Sequence, residues 1–441
     1  MKNKARILAL LFPLIFIMTI GLILFMACTL DTPISGADRV SYPDKALDLV
    51  DITDAVSYSP RSMHGEAKTA IPRAPATPGG ALITLVAEVA PPSDAQGRKL
   101  QASHVELTAN GKYAIVSYML RENAVSGAID IFDVSNPARP TLLRNILFPN
   151  FDIAAVIEEP GTLFLAGQTL DDTGAGKSAR VTSLSFSDRG VVDLASEKTV
   201  QLPGYFATDL VRQNGLLFVT TGTYSVTQPA VGLYALEPTT LATSASLTNA
   251  YPDARSVVVD GSDVAVFEAQ YTSPLVTCHL DIYRNGVLGS TPSSIALTSY
   301  PATAEAKAKM AYYQDGELFL VATNRSGVAI IDAQTKSFKT SIPAPSLPAN
   351  IVPLENQSSN AVAIGNSGSK DIVFIANGEA GLWVGDGDLI KHQPSTSTTA
   401  SISGSIRFGA GESVNFVASK NTLAVAAVGT GGLKMLTIKN Q

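Results

Sequence analysis

Short apolar runs separated by Gly, Asn, Asp and Pro turns follow one another from Ala81 to Ile438. That pattern predicts strands rather than helices. The clearest stretch, His104 to Pro149, divides into four strand-like pieces: His104 to Leu107, Tyr113 to Met119, Gly127 to Val134 and Thr141 to Leu147. Asn110-Gly111 separates the first two, a hairpin signal because both residues accept positive φ. Pro137 and Pro140 mark the last turn, since proline cannot donate to a central ladder. Related units start at Asn150, Tyr205, Asp253, Ala304, Ser359 and Glu412. One equivalent position per unit gives His104, Asp152, Thr208, Arg255, Lys307, Ala361 and Asn415, at spacings of 48, 56, 47, 52, 54 and 54 residues. A period near 50 with four strands per unit predicts an all-β single propeller of seven four-stranded blades. The last unit supplies only three strands before Gln441, while the run Ala81 to Val89 has no partner. That run is expected to complete the last blade as its outer strand and close the ring.

"GAIDIFDVSNPARPTLL" (Gly127 to Leu143) closely resembles the LVIVD repeat of bacterial surface propellers, with weaker copies in "SGVAIIDAQT" (Ser326 to Thr335) and "AGLWVGDGD" (Ala380 to Asp388). The resemblance implies an extracytoplasmic propeller and carries no single activity with it.

The beginning of the chain has a different character. Lys2, Lys4 and Arg6 precede an uncharged, apolar stretch from Ile7 to Ala27 that ends at Cys28. A basic start, an apolar run and a small residue before the cut describe a secretory signal over residues 1–27. Leu24 to Cys28 resembles the bacterial lipobox, although Phe25 and Met26 are bulkier than is usual there. The resemblance implies that Cys28 is lipidated and becomes the mature N-terminus. The alternative is an uncleaved transmembrane helix, for which about 20 apolar residues suffice. Both place the rest of the chain outside the cytoplasm. Thr29, rather than Asp, follows the cysteine, which by resemblance to a bacterial sorting rule favours the outer membrane or cell surface. Residues 28–80 are rich in Pro, Ser, Ala, Asp and Gly and read as a flexible tether with an r.m.s. reach of roughly 40 Å. Lys45 to Val56 is apolar enough for a local strand or helix. The propeller domain then spans 81–441.

Charge narrows the partners. Without Lys2, Lys4 and Arg6, 32 basic against 38 acidic residues become 29 against 38, a net charge of −9. That argues against nucleic acid, whose affinity rests on Lys and Arg. With Cys28 lipidated, Cys278 stands alone without an internal disulfide and reads as a buried small hydrophobe. No cofactor or metal is implied: His104, His279 and His392 lack zinc-ligand spacing. "GAGKS" (Gly174 to Ser178) lacks the full phosphate-loop spacing and falls in a hairpin. The acidic turns at Asp171-Asp172 and Gly385 to Asp388 fit no EF-hand pattern, and no Gly-x-Ser-x-Gly elbow is present.

One constellation remains. The starts of the innermost strands ring one mouth of the central channel, and this ring is expected to contain His104, Asp152, Asp209 or Thr208, Arg255, Lys307 and Asn415. Convergent polar groups in a concavity suggest a ligand site, against the plainer reading that they pair with one another. No catalytic residue is assigned. The expected function is a membrane-tethered, monomeric scaffold that binds a protein or glycan. The alternatives are a periplasmic assembly factor, and a hydrolase or lyase working at the channel mouth.

Overall fold

The computed structural model describes residues 30–32, 39–43, 45–46, 81–120, 124–170, 176–222, 231–248, 253–272, 275–301, 308–367, 370–392 and 404–440. They form an all-β propeller of seven antiparallel sheets. Blade 1 runs Gln101–Leu107, Tyr113–Met119, Gly127–Asp133, Thr141–Phe148, and blade 2 Asp152–Glu159, Thr162–Leu170, Lys177–Phe186, Val192–Leu202. Blade 3 runs Phe206–Gln213, Leu216–Gly222, Gly232–Leu236, Thr243–Thr248, and blade 4 Ala254–Asp260, Asp263–Thr272, Leu275–Tyr283, Ser293–Pro301. Blade 5 is Met310–Tyr313, Leu318–Ala322, Val328–Asp332, Ser337–Ile342, and blade 6 is Ala361–Ser367, Lys370–Ala376, Leu382–Asp386, Gly404–Ile406. The innermost strand of each blade packs beside that of the next, and blade 7 returns to blade 1.

Blade 7 contains Phe416–Lys420, Leu423–Ala427 and Leu433–Asn440, with Ala81–Val89 paired outside them from Asn440↔Ala81 to Leu433↔Val89. The ring is therefore closed by the strand that the sequence left without a partner. A repeated glycine shows that this strand is a true fourth strand. Gly327, Gly381 and Gly432 open the third strands of blades 5, 6 and 7 at φ +87°, +95° and +74°. A Cβ there would lie 2.1, 2.2 and 1.9 Å from the carbonyl oxygens of Ile342, Ile406 and Val89. Positive φ and this close backbone approach both demand glycine. Val89 thus occupies in blade 7 the place that the chain's own fourth strand fills in blades 5 and 6.

The central strands read as near-continuous apolar runs because successive side chains face opposite neighbours. In blade 1, Ala114, Val116, Tyr118 and Phe132 pack towards blade 7 against Val86, Val425 and Met435. Ile115, Ile129 and Ile131 pack towards blade 2 against Ile153, Leu163 and Leu165. The outer strand of blade 2, Val192–Leu202, is by contrast exposed or half-buried along nearly all its length, with burial alternating over its first residues.

Part of segment 28–80 lies against the blades. Leu30–Thr32 pairs with Asn145 to Leu147 on the outer strand of blade 1. Val40–Ser41 and Lys45–Ala46 pair with Ala81–Val89 on blade 7. Arg39 sits in the seam between them. Its Nε donates to the Ala90 carbonyl oxygen (2.8 Å), and its guanidinium pairs with Asp130, whose side chain is fully buried. Residues 1–29, with the expected signal segment and Cys28, and residues 47–80 lie outside the described residues. No helix among the described residues is long and apolar enough to cross a membrane.

Candidate functional site

The innermost strands begin at one mouth of the channel, and in blades 1 to 4 each carries a β-bulge there. The register shifts fall at Ser103, Ala154, Thr208 and Arg255. A bulge inserts one unpaired residue and re-aims its side chain. Ser103 Oγ donates to the Ile153 carbonyl oxygen of blade 2 (2.6 Å), and Thr208 Oγ1 donates to that of Ala254 in blade 4 (2.7 Å). The structurally equivalent positions are therefore Ser103, Ala154, Thr208 and Arg255. The repeat read from the sequence is displaced from them by one residue at His104 and by two at Asp152.

His104 is buried, and its ring stacks on Phe416 of blade 7 with centroids 3.8 Å apart. Asp152 is fully buried and turns to the other side. Its Oδ1 accepts from the backbone N–H of Leu120 (3.1 Å) and Ser126 (2.9 Å) in blade 1, and its Oδ2 from Gln168 Nε2 (2.6 Å). Burial raises the pKa of this carboxyl above its ordinary value, an effect that Gln168 and the two backbone donors oppose. Stacking draws His104 towards blade 7, while these bonds draw Asp152 towards the loop of blade 1 and its own blade.

Asp209 centres a node of three blades. Its Oδ2 accepts from Ser256 Oγ (2.6 Å) and the Val257 N–H (3.2 Å) in blade 4, and its Oδ1 lies 2.7 Å from Lys309 Nζ at the start of blade 5. Ser256 Oγ in turn accepts from the Met310 N–H at 3.1 Å. Burial lowers the Lys309 pKa, and the carboxylate of Asp209 counters that. Lys307, the expected cation, lies outside the described residues; Lys309 makes the ion pair. Arg255 is half-buried and pairs with Asp253. Asn415 Nδ2 donates to the Ala102 carbonyl oxygen (3.1 Å), which ties blade 7 to blade 1. Backbone bridges join blades in the same way: Asn324 to Ser359, Gly378 to Val414 and Gly429 to Ala102. Of the polar ring expected from the sequence, Asp152, Asp209 and Asn415 thus take part in a belt of bonds that stitches blade to blade.

Three further groupings escaped the sequence reading. At the opposite channel mouth, Glu106 has its carboxyl pushed up to about 8 by burial and by the neighbouring Glu158 carboxylate. Lys420 stands nearby, its Nζ donating to the carbonyl oxygens of Thr108 (3.0 Å) and Ala109 (2.6 Å). A cavity of about 180 Å³ opens between blades 7 and 1 on that side, lined by Leu107, Val134, Pro137, Lys420 and Thr422. In blade 4, Glu268 is buried opposite His279, and burial with Asp281 and Asp253 pushes it up to about 8. On the first face, the connection between blades 5 and 6 is built around Gln357. Its side chain bonds the Leu347 N–H and the Leu347 and Val352 carbonyl oxygens, each at 2.8 Å, and leaves Leu354 57% exposed.

The remaining sequence candidates have structural roles. Cys278 is buried in the interface with blade 5, and burial pushes its thiol up to about 12. Asp386 caps the short helix Gly387–Lys391 by accepting from the Leu389 N–H. Lys177 and Ser178 open a blade 2 strand, whereas residues 171–175 lie outside the described residues. Among the described residues, no group of three or more His, Cys, Asp or Glu is placed to hold a metal ion. Compared with protein-family models and with curated proteins, the chain has no match.

Proposed function

We propose that this protein is an extracytoplasmic lipoprotein whose propeller acts as a rigid scaffold for a protein or glycan. The observation that carries the scaffold reading is the stitching belt. Asp152, Asp209 and Asn415 commit their polar atoms to neighbouring blades, so the belt holds the ring's shape while the loops are left to make contact. Rigid frameworks commonly display function on their loops. Among the described residues of that face, the blade 5–6 connection, braced by Gln357, presents exposed Leu354 for contact. The anchoring reading rests on the basic start, the apolar run and Cys28.

The test is protease shaving of intact cells with mass spectrometry of the mature N-terminus, followed by cross-linking and glycan-array probing of the isolated protein. We expect lipid on Cys28, cleavage between residues 47 and 80, and a captured envelope component lost in Leu354→Asp at unchanged melting temperature. An unmodified Cys28 refutes the anchor, and capture that ignores Leu354→Asp refutes the loop face. A second reading, a periplasmic assembly factor, draws on the outer strand Val192–Leu202, which stands at the edge of its sheet with one side unpaired among the described residues. Such an edge can accept a partner strand. Protection of residues 47–80 in intact cells, with the same lipid, favours it.

A further inference from the structure

The chain that follows Cys28 does not run freely towards the propeller. Only Thr29 separates the cysteine from Leu30, which already pairs with Leu147 on the outer strand of blade 1. Nine residues on, Arg39 locks into the seam between blades 7 and 1 against buried Asp130. Asn145 Nδ2 donates to the same carboxylate at 2.7 Å. The next residues hold both sides of the seam, so that the segment forms a clasp across it. Val40 and Ser41 pair with Val89 and Glu88, Tyr42 Oη donates to the Pro140 carbonyl oxygen (2.7 Å), and the Arg139 guanidinium lies 4.9 Å from the Tyr42 ring centre. Lys45 and Ala46 then pair with Leu85 and Thr84. Ala46 thus lies beside Thr84 on the strand that begins at Ala81, so the described chain is already back on blade 7 at that point.

We propose that the propeller lies edge-on against the lipid surface, with the outer rim of blade 1 towards the bilayer. This rests on the lipid anchor at Cys28. Two residues span at most ~7 Å, whereas a free stalk of about 50 residues would allow roughly 40 Å. The direction follows from the pairing. Leu30 opposes Leu147 and Thr32 opposes Asn145, so the lipid end of the segment points past Leu147 to Pro149 and Asn150, both exposed. Those residues connect blade 1 to blade 2 on the face that carries the stitching belt. The partner of this rim is the membrane surface itself.

Trp383, the chain's single tryptophan, is buried in blade 6 and serves as an internal reference. Full-length lipidated protein is placed in phosphatidylethanolamine–phosphatidylglycerol vesicles carrying a spin-labelled lipid quencher near the headgroup. Tryptophan is introduced singly by Asn150→Trp at the rim or by Val287→Trp on exposed blade 4. We expect at least twofold quenching at position 150, and none at position 287 or at Trp383. Inserting about 20 Gly/Ser residues after Thr29 restores a reach of roughly 25 Å and should abolish the quenching while leaving the clasp intact. No quenching at position 150, or equal quenching at 150 and 287, overturns the edge-on arrangement while lipid on Cys28 by mass spectrometry leaves the anchor reading standing. Absence of that lipid overturns both.

Discussion

Deleting the closing strand is the sharpest perturbation available. Ile83, Leu85, Val86 and Val89 are 1%, 6%, 3% and 1% exposed. Ile83 and Leu85 pack towards blade 6, Val86 and Val89 towards blade 1. Burying one such side chain contributes about 1.5–3 kcal/mol, so the four together contribute roughly 6–12 kcal/mol. A domain's whole stability is about 5–15 kcal/mol. The deletion also leaves Leu433–Asn440 without its ladder partner. A chain beginning at Ala81 should therefore unfold cooperatively in urea, and one beginning at Ala90 should have no cooperative transition or one at far lower urea. Adding a peptide of residues 81–89 should restore the transition in a concentration-dependent way, because a ligand of the native state stabilises by mass action. Equal midpoints for the two chains, followed by tryptophan emission and circular dichroism, would refute the closure argument.

Three other perturbations probe the seams. Asp152→Ala strips the acceptor from two buried backbone N–H groups and the Gln168 amide. It should cost about 3 kcal/mol or more, and an unchanged urea midpoint would show that the carboxylate does not stitch blades 1 and 2. Arg39→Ala leaves the buried Asp130 carboxylate without its cation and should cost about 3 kcal/mol. Adding Asp130→Asn should recover part of the loss, and a strictly additive double variant would argue against the pair. Folded Glu268 keeps its proton up to about pH 8, whereas an unfolded glutamate loses it near its ordinary value of 4.5. The folded state then binds more protons in that window, so stability should fall as pH rises from about 5 to 8 and level off above it. Glu106 acts in the same window and direction, so Glu268→Gln should reduce the slope without abolishing it. An unaltered slope in urea melts at several pH values would dismiss Glu268 as a source.

Strand positions were legible because their signals are local. Asn110-Gly111 makes the first hairpin of blade 1, and the runs Tyr113 to Met119 and Gly127 to Asp133 appear as strands over nearly those residues. The closing role of Ala81–Val89 was legible too, since an apolar run without a partner and a blade short of one strand imply each other. Direction was not legible. A bulge at Ser103 or Thr208 shifts every later side chain by one position, and nothing in the residue types marks it. Of the residues expected at the mouth, His104, Asp152 and Asp209 lie near the starts of innermost strands and make their contacts with neighbouring blades. The clasp was hidden for another reason. Segments of two or three residues such as Val40–Ser41 have no periodicity, and Arg39 finds its partner Asp130 ninety-one positions away. The cluster around Glu268 likewise depends on packing between elements, in which Asp281 approaches from the next strand and Asp253 from just before the innermost strand of the blade.

The closure of blade 7 also sets an order of events. Ala81–Val89 is made long before its partner Leu433–Asn440. At roughly 5–20 residues per second, synthesis of the chain takes on the order of 20–90 seconds. Throughout that interval the ring has no complete seventh blade, and the apolar faces of blades 1 and 6 that flank it stay uncovered. The native state therefore has to wait for Leu433–Asn440 to emerge. On the lipoprotein reading, a chain exported while it is still being made could not lock shut before crossing the membrane.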